Sequence, residues 1–179
     1  MLEILDRLDE ARIEWWIEGE WGIDALLGEE SRPHDDLDLA VLRGDVDRLA
    51  DVFPEFRRVD REWWPARFVL RDSRGRQVDF HPIVFDEHGG AWQELVDGLR
   101  VFRPADGMKG SGRIGGREVQ CVTAELQLRF HDYPDPDDVD WDDMRVLCER
   151  LALTPPRAYA RRPGRIDPKR AAARPRRRR

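Results

Sequence analysis

The stretch IEGEWGIDALLGEESRPHDDLDLAV, residues 17–41, decides how this chain reads. The run IEWWI (13–17) is rich in β-branched and aromatic residues and predicts a buried strand. Gly19 breaks it, and EWGIDALLG (20–28) predicts a short helix stopped by Gly28. The segment LDLAVL (37–42) is then a second strand. Its two-residue period puts Asp36, Asp38 and Ala40 on one face and Leu37, Leu39 and Val41 on the other.

Outward from this core the periods change in order. MLEILDRLDEA opens the chain with leucines and isoleucine at helical spacing, an amphipathic helix. A helix is expected over DVDRLADVF (45–53). A β-hairpin follows, with ARFVLRD (66–72) and RQVDFHPI (76–83) as arms; in the second arm Gln77, Asp79 and His81 share a face. LRVFRP and REVQCV predict further short strands, and MKGSGRIGG between them reads as a glycine-rich loop. Thr123 begins a helical part, TAELQLRFH and VDWDDMRVLCERL (139–151). The expected organisation is an α+β domain over 1–122, a mixed sheet with flanking helices, then a small helical part over 123–153. The final segment, 154–179, is basic and proline-broken and is expected to be disordered. Trp15, Trp16 and Trp21 are expected in the core.

Charge sharpens the function classes. The net charge is −6, but from Arg157 onward there are eleven lysines plus arginines and one acid, Asp167. Residues 1–156 therefore carry 20 basic and 36 acidic side chains, a body that attracts cations and repels nucleic acid. Only the basic tail suits RNA or an acidic partner. No apolar run approaches the length of a membrane span, and the charged N-terminus does not read as a signal peptide. Cys121 and Cys148 lack metal spacing and read as reduced thiols of a cytoplasmic protein.

Asp36 and Asp38, at i and i+2 on a strand, project side by side roughly 6–7 Å apart. Such carboxylates repel unless a cation sits between them, and magnesium suits all-oxygen ligands while keeping positions for phosphates. Asp79 is presented in the same alternating way from the hairpin. An acidic D-D-x-D run alone is usually a solvated turn. Here a strand, Gly19 and a helix start precede it, and they aim backbone N–H groups where a triphosphate can lie.

GEWGIDALLG…SRPHDDLDLAV, followed by RQVDFHPIVFDEHGGAWQ, GRIGGREVQCVTAELQLRFH and the DDMRVLCERL helix, resembles the small nucleotidyltransferases related to aminoglycoside and lincosamide resistance adenylyltransferases. These belong to the polymerase-β-like superfamily, and the resemblance spans roughly residues 1–153. It implies transfer of AMP from ATP to a hydroxyl of a small, cationic antibiotic. Asp36 and Asp38 would bind magnesium and the nucleotide phosphates, and Asp79 would be the general base and a possible metal ligand. Gly19 would form the phosphate turn, with Glu20 in that turn and Arg32 and His34 near the triphosphate.

Glu20 departs from the pattern, since relatives carry glycine or serine there. At about 5 Å and an effective dielectric near 20, one unpaired carboxylate against one phosphate charge costs roughly 3 kcal/mol, about a hundredfold in affinity. An alternative therefore stands beside the enzyme: a degenerate nucleotidyltransferase-fold protein with a binding or regulatory role. A Glu20 that turns out to solvent, pairs with an arginine or ligates a metal would escape that cost.

Overall fold

A computed structural model describes residues 1–132 and 136–159. The tail from residue 160 and three residues of the acidic run 132–143 lie outside the described residues. Of the basic segment 154–179 expected to be disordered, residues 160–179 fall outside the described residues; the start is ordered instead, with Arg157–Tyr159 in a 3₁₀ turn and Tyr159 buried in the cluster that holds Met144 and Leu147.

The chain begins with helix α1 (Leu2–Glu10), strand β1 (Trp15–Ile17), helix α2 (Gly19–Leu27) and strand β2 (Asp36–Leu42). Leu5 and Leu8 of α1 are fully buried against Leu39 and Val41 of β2, the apolar face that the period of two defines. Gly28 ends α2 in the left-handed region at φ 75°, a conformation that glycine adopts without a Cβ clash. After a 3₁₀ turn (Arg43–Arg48) and the one-turn helix α3 (Leu49–Val52) come β3 (Arg57–Asp60), β4 (Phe68–Arg71) and β5 (Gln77–Phe85). Strands β6 (Ala91–Glu94) and β7 (Arg100–Arg103) extend from the far end of β5. The hairpin β8 (Gly110–Ile114) and β9 (Arg117–Cys121) closes the other edge, and helices α4 (Ala124–Phe130) and α5 (Asp138–Leu151) follow.

The main sheet runs β3-β4-β5-β2-β1-β9-β8. Strands β2 and β5 are parallel, with Asp36 opposite Gln77, Asp38 opposite Asp79 and Ala40 opposite His81. The helical part packs on α2, where Ile23 meets the buried Met144 and Leu147 of α5. Thr123 caps α4, and Asp137 with Asp140 forms a capping box at α5. Trp15 and Trp16 are buried, as the strand reading requires, and Trp21 packs partly buried against the same core. The described residues contain no helix long and apolar enough to cross a membrane.

Two further expectations need correction, and two strands come in addition to the expected ones. The helix over 45–53 is a 3₁₀ turn followed by a single α-turn; only Leu49 of that turn is fully buried, and Pro54 forbids a longer run. The glycine-rich loop MKGSGRIGG is largely strand β8. Gly115 and Gly116, both at positive φ, make the tight turn to β9, as a two-residue hairpin requires. Gly112 is there for close approach, because a Cβ would lie 2.2 Å from the carbonyl oxygen of Ala25. Finally, β3 and β6 carry no clear alternation of their own and escaped the sequence reading.

Candidate active site

Gly19 joins β1 to α2 at φ +58°, and a Cβ there would fall 2.3 Å from Asp38 Oδ2. The start of α2 thus lies directly on the Asp38 carboxylate, which only glycine permits. Gln127 of α4 donates from Nε2 to the carbonyl of Gly19 at 3.1 Å. Gly22 makes room for that amide, since a Cβ on it would sit 2.1 Å from the same nitrogen.

The parallel register places Asp38 and Asp79 as neighbours on one face of the sheet. Asp79 is buried; its Oδ2 accepts from Arg67 at 2.5 Å and its Oδ1 from Gln77 at 2.8 Å. Burial, and then the adjacent Asp38 carboxylate, push its pKa up to about 6 against the pull of Arg67. His81 lies 3.1 Å from Asp38 Oδ1 through Nε2, and Gln77 reaches Asp36 Oδ2 at 3.4 Å.

Asp36, Asp38 and Asp79 therefore share a face, yet no three His, Cys, Asp or Glu side chains among the described residues gather closely enough to hold a metal. The Asp79 carboxylate is held by Arg67 and Gln77, and Gln77 links it to Asp36. The donor chemistry of the Asp36 and Asp38 pair still fits a hard cation. Both supply oxygen only, and the Asp38 charge that adds to the effect of burial on Asp79 is one a cation would offset.

On the other side of the turn, Glu20 is fully engaged. Its Oε1 pairs with Arg32 Nη2 at 2.9 Å and its Oε2 faces His34 Nδ1 at 3.1 Å. Arg32 also reaches Asp143 of α5 at 2.8 Å, and His34 Nε2 lies 2.5 Å from Asp24 Oδ2. Burial opposes the Arg32 charge, but the hydrogen bonds that Arg32 donates to Glu20 and Asp143 outweigh it and raise its pKa. Arg32 and His34, expected to face a triphosphate, are in this conformation bound to carboxylates. They are the partners that engage Glu20.

Arg67, Gln93 and Arg103 went unnoticed in the sequence. Arg67 lies just before β4 with no periodic partner, and Arg103 ends β7 as one arginine among many. No local pattern marks either. Only the sheet register brings them to the acids.

Residues 1–147 match the family model described as aminoglycoside-2''-adenylyltransferase. The chain belongs to that family. A 2''-aminoglycoside nucleotidyltransferase of Klebsiella pneumoniae is 29% identical over 164 residues, 85% of this chain and 83% of the relative. A lincosamide resistance protein of Staphylococcus haemolyticus is 26% identical over 145 residues, 80% of this chain and 89% of that protein. Among solved structures, the lincomycin-bound lincosamide antibiotic adenylyltransferase LnuA superposes with a TM-score of 0.73 at 25% identity, covering 82% of this chain and 92% of that one. The architecture of this adenylyltransferase-family chain is thus the nucleotidyltransferase fold, α+β as its sequence implies, and it stands among antibiotic nucleotidyltransferases.

Proposed function

We propose that the protein transfers AMP from magnesium–ATP to a hydroxyl of a small, cationic antibiotic of the amino-sugar or lincosamide class. The observation that carries this reading is the register pair of Asp38 and Asp79 beneath the Gly19 turn, with Asp79 poised near pKa 6. Asp36 and Asp38 would hold the magnesium ion, which when bound would offset charge on the nucleotide phosphates. Gly19 lets the backbone N–H groups at the start of α2 approach those phosphates.

In the transfer, the acceptor oxygen bonds to the α-phosphorus as the bond to pyrophosphate breaks. Asp79 takes the hydroxyl proton. A base whose pKa lies just below neutrality is ionised at working pH and still basic enough to accept. Each Asp79 oxygen keeps a second lone pair beyond its bond to Arg67 or Gln77. For Asp79 to ligate the cation as well, Arg67 would have to release it. The strongly acidic body favours a cationic acceptor over nucleic acid, and the need for ATP places the work in the cytoplasm.

A second reading, a nucleotidyltransferase fold kept for binding or regulation, is favoured by one observation: Arg32 and His34 are tied to Glu20, Asp24 and Asp143 rather than presented to a phosphate. Against it, the same pairing removes the repulsion that Glu20 would otherwise exert. A pyrophosphate-release screen with magnesium–ATP and a panel of hydroxylated antibiotics and amino sugars separates the two. Release coupled to an AMP adduct on an acceptor supports the transferase; binding of ATP with no adduct on any acceptor supports the second reading.

A further inference from the structure

A buried polar chain runs from the residue before the Gly19 turn, through the β6–β7 extension, to the carboxylate of Asp38. Glu18 pairs with Arg103 of β7, the two side chains being 6% and 1% exposed. Burial pushes the Arg103 pKa down to about 9, and Glu18 Oε2 accepts from its Nη2 at 3.3 Å. Arg103 Nη2 donates to Gln93 Oε1 at 2.6 Å. Gln93 Nε2 donates to the carbonyl of Ala66 at 2.8 Å and lies 3.3 Å from His81 Nδ1. His81 Nε2 is 3.1 Å from Asp38 Oδ1. The backbone N–H of Glu18 donates to the Asp38 carbonyl at 3.0 Å, so the chain closes on the strand where it began.

Donor and acceptor capacities fix every link. A guanidinium only donates, so the oxygen of the Gln93 amide must face Arg103. A carbonyl only accepts, so the amide nitrogen faces Ala66. That nitrogen carries only donors, and His81 Nδ1 must accept from it. The imidazole is then neutral with its hydrogen on Nε2, aimed at Asp38. The bond holds Oδ1 and leaves Oδ2 as the oxygen beside the Gly19 turn.

We propose that Glu18, Arg103 and Gln93 are positioning residues that lock His81 as the Nε2–H tautomer and so orient the Asp38 carboxylate beneath the phosphate turn. The consequence for catalysis rests on Asp38 serving a magnesium–nucleotide site; the hydrogen-bond chain does not. Partners that orient a metal-binding side chain are typically worth roughly 10–100-fold in metal affinity or activity.

The test is long-range ¹H–¹⁵N imidazole spectroscopy of the full chain without nucleotide or magnesium, with the His81 signals assigned by their loss in His81→Gln. The wild type is expected to show hydrogen on Nε2 and a bare Nδ1. Gln93→Glu keeps the bond to Arg103, gives up the one to the Ala66 carbonyl and sets a carboxylate oxygen against Nδ1, so Nδ1 is expected to gain a hydrogen. The same variant is expected to raise the KM for magnesium–ATP roughly 10–100-fold. His81→Gln, which retains an N–H at its tip, should recover most of the KM that His81→Leu loses. A wild-type ring with hydrogen on Nδ1 alone, or a Gln93→Glu spectrum identical to wild type, overturns the proposal. Should Gln93→Glu fail to fold, the wild-type tautomer still decides it. The Nε2–H form found in a protein that adenylylates no acceptor would keep this chain of bonds and remove the transferase reading.

Discussion

Two polar clusters flank the start of α2, built from the same residue types with opposite results. On the sheet side, parallel backbone register holds Asp38 beside Asp79, and neither strand can yield. Burial first, and then the neighbouring Asp38 carboxylate, push the Asp79 pKa up to about 6 although Arg67 and Gln77 hold it. On the helix side, Glu20, Asp24 and Asp143 meet Arg32 and His34 delivered by the irregular segment between α2 and β2. A loop can adjust until each carboxylate finds a partner, so Arg32 and His34 offset part of the charge of the three acids. The paired cluster ties α2 to α5 through Glu20, Arg32 and Asp143.

The largest effect that could break this contrast is on turnover. Asp79→Asn should lower kcat by roughly 10²–10⁴-fold, the usual worth of a positioned base, while magnesium–ATP affinity changes only a few-fold. Steady-state kinetics with an active acceptor checks it; near-wild-type turnover would remove the base assignment.

Next is the pH dependence of stability. The folded pKa of Asp79 lies above its ordinary value of 3.8, so the folded state binds the proton more tightly. Between about pH 4 and pH 6 the folded protein holds more protons than the unfolded chain, and stability falls as pH rises. The loss attributable to Asp79 is on the order of 3 kcal/mol. Denaturant titrations of metal-free protein across that range, wild type against Asp79→Asn, should show the slope difference. Parallel curves would mean that the sheet does not strain this carboxylate.

Gly19→Ala tests the close approach itself. Positive φ and the overlap with Asp38 should destabilise the fold by about 1–3 kcal/mol, read as a lowered Tm. An unchanged Tm would show that the turn has room to spare. The smallest effect is expected at Glu20. Since its charge is already matched, Glu20→Gly should tighten magnesium–ATP binding by less than about tenfold. Calorimetry that finds a hundredfold gain would show that the helix-side cluster does repel phosphate.

The same contrast explains what could be read in advance. Asp36, Asp38 and Asp79 were legible because a strand shows its faces every second residue, and Gly19 because a glycine between strand and helix has few other uses. The pairing of Glu20 with Arg32 was legible only as a possibility, because a loop carries no period that says where its side chains turn. Arg67, Gln93 and Arg103 were silent. Their roles come from contacts across 12 to 85 residues of sequence, which local pattern does not encode. Strand β8 was missed for a related reason: Gly112 marks close packing on α2, and glycine in sequence looks the same for packing as for looseness.

The most direct measurement is calorimetric titration of ATP into wild type and Asp38→Asn, each with and without magnesium. Binding that needs magnesium in the wild type, and that weakens by roughly 10–100-fold in the variant, is the expected result. Equal binding by both proteins, or binding indifferent to magnesium, would contradict a metal–nucleotide site at these strands.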